Sequence, residues 1–115
     1  MEQFTPTVSD SDVERVIRRD LPAEAQEEIR TIIRDIEVSE KPRVILACLK
    51  IWKGDIEKLK RDLDDASGYY REHILEAEYP NYAKKMFRIE KLPEAEVNKI
   101  IEKDKEQYLA WLHKE

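Results

Sequence analysis

Residues 41–55 read KPRVILACLKIWKGD, and the conformation of this stretch decides the fold. Val44 to Leu49 are apolar almost all the way round, and Ile51 and Trp52 continue the run. A helix with so narrow a polar face belongs near the centre of a bundle. A short parallel strand is the alternative, because apolar runs of this length are ambiguous by periodicity. Gly54 suits the position just past a helix end, and Asp55 suits the cap of the next helix.

The pattern beyond Asp55 is helical. Ile56, Leu59, Leu63, Ala66, Tyr70, Ile74 and Ala77 keep one stripe for about six turns. Pro80 ends it, because the residue before a proline is pushed out of the helical region. NYAKKMFRIEK (81–91) reads as a short helix or an irregular crossover. It carries Lys84, Lys85, Arg88 and Lys91, a local basic cluster. Leu92-Pro93 then starts a final helix whose stripe is Val97, Ile100, Ile101, Tyr108, Trp111 and Leu112.

On the N-terminal side, SDVE (11–14) reads as a capping box, with Ser11 at the cap and Glu14 reaching back. Val13, Val16 and Ile17 follow as a short stripe. Pro22 opens the next helix in its first turn, with Glu24, Glu27 and Glu28 near the positive end of the dipole. Ile29, Ile32, Ile33 and Ile36 line its buried face. The expectation is therefore an all-α chain: residues 1–10 a flexible arm, and residues 11–115 a single bundle of five or six helices with 44–52 as its most buried segment.

Composition agrees. In 115 residues, hydrophobic and charged side chains each make up 41%, with only two glycines. This is the make-up of one helical domain. The net charge of −5 argues against a general nucleic-acid binder, which wants clustered positive charge. The sequence holds no apolar run long enough to span a membrane, and no basic-then-apolar start of a signal peptide. The lone Cys48 has no internal disulfide partner. A reducing cytosol is the expected location.

Few catalytic constellations fit. Two isolated glycines make no phosphate loop, and one Cys with two His falls short of a finger-type zinc site. His73-x-x-Glu76 is the reverse of a di-iron motif and has no partner motif. No metal or cofactor is expected. Two polar features survive. On the long helix, Arg71 and Glu78 fall on one flank beside the buried stripe, while Glu72, Glu76 and Tyr79 point outward. On the last helix, Asp104 lies mid-stripe, where a carboxylate is costly unless paired. It is expected to be satisfied by Arg71, Lys50 or a tyrosine hydroxyl. The alternative is that Arg71, Glu78, Asp104 and Tyr108 border a polar pocket.

RVILACLKIWKGDIEKL, YYREHILEAEYPNY and LPEAEVNKIIEKDKEQYLAWL resemble, in order and spacing, a family of small bacterial proteins known only as uncharacterised. Its pattern runs R-V-x-L-A-x-L-K-x-x-x-G-D, then Y-R-[DE]-x-[LI]-x-x-A-E-Y-P, then I-I-E-x-D-x-x-Q-Y-x-x-W-L, over about Arg43 to Leu112. The resemblance implies a bacterial cytosolic helical protein and brings no activity with it. It carries a polar signature onto Lys50, Gly54, Asp55, Arg71, Glu72, Glu78, Tyr79, Asp104, Gln107 and Tyr108. Tyr69, His73 and Lys105 depart from it, standing where the family has an acidic residue, a valine and a tryptophan.

Three function classes follow. The favoured one is a small interaction or regulatory module, without catalysis, that binds a protein partner through a polar and aromatic face around Lys50, Arg71, Glu72, Glu78, Tyr79, Asp104 and Tyr108. Self-association is compatible with it. The alternative is an enzyme or small-ligand binder that uses a pocket around Arg71, Glu78, Asp104 and Tyr108. A nucleic-acid contact through Lys84, Lys85, Arg88 and Lys91 is the weakest.

Overall fold

The computed structural model describes residues 5–86 and 88–115, with the side chain of Tyr69 excepted. These form six α-helices, α1 (Asp10–Asp20), α2 (Ala23–Arg34), α3 (Lys41–Ile51), α4 (Ile56–Glu78), α5 (Pro80–Lys85) and α6 (Glu94–Leu112), and one 3-10 turn, Ile89–Lys91. No strand occurs among the described residues. The deciding stretch is thus a helix. The seven helical segments exceed the five or six expected by the 3-10 turn, which lies in the crossover between α5 and α6.

Burial explains why residues 41–51 are helical. Val44 through Leu49 are all buried, and Ile51 is 3% exposed, so neighbours cover the segment on every side. α3 lies along α4, α1 packs on α3, and α2 packs on α4. α6 closes the other side against α4 and α5. The main core joins Val16, Ile17, Ile29, Leu46, Leu59 and Tyr108 from five helices. A smaller core gathers Tyr79, Val97 and Ile101, with Leu75 and Tyr82 beside them, where α4, α5 and α6 meet. The 23 residues of α4 span about 35 Å, and α4 reaches both cores.

Local caps move some of the expected boundaries. Helix α1 is capped by Ser9 instead of Ser11: the Ser9 N–H donates to the Asp12 carboxylate at 3.0 Å. Glu14, expected in that capping box, pairs with Arg30 of α2 at 2.7 Å. α1 begins at Asp10 and Val8 packs on the core; residues 1–4 of the expected arm lie outside the described residues. Pro22 stands at the N-cap of α2, one position before the first turn. α3 ends through Lys53 and Gly54 in left-handed conformations (φ 51° and 83°), which glycine adopts without penalty. Asp55 then caps α4, its carboxylate accepting the Lys58 N–H at 3.1 Å. At the far end of the chain, Arg19 of α1 donates to the carbonyls of Trp111, Leu112 and Lys114 and lies over the Trp111 ring at 5.4 Å.

Candidate functional site

Pro80 splits what would otherwise be one helix into α4 and α5. With no N–H of its own it cannot continue the hydrogen-bond ladder, and the backbone at Tyr79 leaves the helical region (φ −129°, ψ 47°). The break bares the N–H groups of Asn81 and Tyr82, which an unbroken helix would direct to Ala77 and Glu78. Asp104 of α6 takes both, its two carboxylate oxygens each accepting one N–H at 2.9 Å. Gln107, one turn further along α6, donates its amide to the Ala77 carbonyl at 3.2 Å. Two side chains on one face of α6 therefore splint both sides of the break. Asp104 is fully buried, as its place in the stripe required, and its hydrogen-bond partners are backbone amides. Among the described residues, no hydrogen bond joins it to Arg71 or Lys50, two of the expected partners. The correction has a plain cause: a bare helix start buried beside a carboxylate is the stronger acceptor's natural partner.

Glu78 is the other fully buried carboxylate. Its partner is Arg43 of α3, whose Nε and Nη2 donate to the two oxygens at 2.8 Å each. Burial holds the Glu78 carboxyl above its ordinary range, and Arg43 only partly offsets this. Arg71 shares its flank in sequence but not its company. It is exposed, lies over Tyr70 at 5.7 Å and donates to the Tyr70 hydroxyl at 3.3 Å.

Between these groups opens a cavity of about 270 Å³. Tyr70, Ile74, Leu75, Tyr79, Tyr82 and Ile101 form most of its wall, and Arg43, Glu40 and Arg71 its polar side. Tyr79 and Tyr82 meet edge to face with centroids 6.3 Å apart. Of the four residues expected to border a polar pocket, Arg71 alone lines this cavity. Glu78, Asp104 and Tyr108 are buried beneath the surface. Lys50 and Glu72 line a separate groove between α3, α4 and α5, with Lys53, Glu76 and Lys84. Burial, and next Lys53, hold the Lys50 ammonium below its ordinary range, with Asp104 and Glu76 pulling the other way.

No family model, curated protein or solved structure gives a significant match to this chain. The site is therefore read from its own chemistry. Among the described residues, no three His, Cys, Asp or Glu side chains gather as a metal site requires. His73 is half-buried, and the exposed Glu76 and His113 lie apart from the cavity. Cys48 is buried, and that burial pushes its thiol up to about 12, far from the range of a nucleophile. Tyr69 lies outside the described side chains, and Lys105 is half-buried.

Sequence reasoning missed Arg43 as the partner of Glu78. The two stand 35 residues apart, and no periodicity relates positions on different helices. The one available signal was an arginine in the first turn of the most apolar helix. Arg19, which caps α6, had no signal at all.

Proposed function

We propose that this chain is a non-catalytic interaction module of the bacterial cytosol that seats one side chain of a protein partner in the tyrosine-walled cavity. The observation that carries this is the cavity's make-up. Three tyrosines and three aliphatic side chains enclose a space of about 270 Å³, and an arginine stands at its edge with no carboxylate within 4 Å among the described residues. Tyrosine and arginine around a small apolar recess are the usual composition of a binding hot spot. The volume suits one large side chain, and is small for a free ligand that must bury most of its own surface. Arg71 fits a carboxylate next to that side chain. The A-E-Y-P (77–80) and D-x-x-Q-Y (104–108) stretches of this chain are the two halves of one joint beside the cavity.

The test is a selection of displayed heptapeptides on the wild-type protein, with counter-selection on Arg71→Glu. The expected winners carry an aromatic or large aliphatic residue next to Asp or Glu, and bind the variant at least about tenfold more weakly, a loss of about 1.4 kcal/mol. Winners indifferent to Arg71, or no winners at all, would overturn the reading. So would a stoichiometric small molecule found in the cavity of purified protein.

A further inference from the structure

The basic cluster read from the sequence does not stay together in the fold. Lys84 turns into the groove beside Lys50. Lys85 and Arg88 face α6 instead, across a second depression of about 490 Å³. There α6 supplies two more cations, Lys99 and Lys103, one helical turn apart. Four cations thus face one carboxylate, Glu96.

Along α1 and at the start of α4 the cations are neutralised. All three arginines of α1 have a carboxylate within 3.4 Å, and Lys58 and Lys60 have one within 2.8 Å. Among the described residues, no ion pair joins Lys85, Arg88, Lys99 or Lys103 to any carboxylate. A concave surface that concentrates unneutralised positive charge raises the local concentration of anions. The floor of the depression is apolar, built by Leu92 and Ile100. At its edge is Asn81, whose backbone N–H is held by Asp104 while its side-chain amide makes no hydrogen bond to a described residue. That amide offers a donor and an acceptor side by side.

The geometry points to a binding site for a nucleoside polyphosphate in the groove between α5 and α6. Lys85, Arg88, Lys99 and Lys103 take the phosphates, the Leu92 and Ile100 floor takes the flat face of the base, and Asn81 takes its polar edge. The volume lies in the range of small-ligand sites. An extended nucleic acid fits less well, because the cations converge on one depression and the chain carries a net charge of −5. The site shares no cation with the tyrosine-walled cavity, so the two readings stand or fall separately.

Calorimetric titration with ATP, inorganic tripolyphosphate and adenosine tests it. ATP and tripolyphosphate bind one per chain and weaken as salt is raised; adenosine alone does not bind measurably. The double substitution Lys99→Glu, Lys103→Glu lowers both affinities at least about tenfold, whereas Lys53→Glu, outside the groove, leaves them unchanged. Asn81→Ala weakens ATP and spares tripolyphosphate, since the backbone N–H to Asp104 remains. Circular dichroism melts confirm that the variants fold. Absence of saturable binding by either anion overturns the proposal, as does binding that survives the double substitution. Tighter binding of single-stranded RNA, growing with its length, or of polyglutamate replaces it with a nucleic-acid or an acidic-protein surface.

Discussion

A single carboxylate, Asp104, holds two backbone amides that have no other partner among the described residues. Its removal strands buried N–H groups, at about 1–3 kcal/mol each. Asp104→Ala is therefore expected to destabilise by several kcal/mol, and Asp64→Ala, on an exposed face, by less than about 0.5 kcal/mol. Asp104→Asn should fall between them. Its one oxygen still accepts from an amide, but its NH2 meets a second donor. Urea midpoints of the three variants check this order. Equal small losses for Asp104→Ala and Asp64→Ala would show that α6 does not hold the break. The burial of Asp104 was legible in the sequence, since 3.6-residue periodicity places it mid-stripe between Ile101 and Tyr108. Its partners were not. Their availability depends on Tyr79 leaving the helix and on α6 lying across that point, and no linear pattern encodes either.

At the level of elements, Glu78 and Arg43 fasten the end of α4 to the start of α3. Both guanidinium bonds are 2.8 Å, and the carboxylate has no exposure. Breaking a buried pair by removing one partner costs about 3–5 kcal/mol, whereas replacing both with apolar residues is often close to neutral. Glu78→Leu or Arg43→Met alone should thus lower stability strongly, and the double substitution should recover much of the loss. Strictly additive losses would contradict that coupling. The pH dependence has a definite sign. Burial raises the folded-state pKa of Glu78, so the folded protein holds this proton more tightly than the unfolded chain does. The favourable contribution is complete below the unfolded value of about 4.3 and is lost as pH rises through the folded one. The stability of wild type relative to Glu78→Gln should accordingly decrease as pH rises from 4 towards neutrality. The helices themselves were readable from stripes, prolines and Gly54. The start of α1 shifted by two residues, because Ser9 and Asp12 compete with Ser11 and Glu14 for the same capping geometry, and α2 starts one residue later than expected, with Pro22 at its N-cap.

For the molecule as a whole, the main core draws on five helices and places Cys48 inside it. Burial pushes this thiol up to about 12, so native protein should react with an aromatic disulfide reagent only through opening of the fold. The reaction rate should follow the unfolding equilibrium constant as urea is added. Fast labelling of native protein, independent of urea, would mean that α3 is not the central helix.

The splint at Pro80 also makes the corner conditional on α6. In a chain that lacks Asp104 and Gln107, the break carries two bare donors and one bare acceptor, which water alone can satisfy. The α4–α5 corner keeps its shape only with α6 in place. A chain stopped anywhere between Lys85 and Asp104 would hold the wall-forming tyrosines without the corner that aligns them.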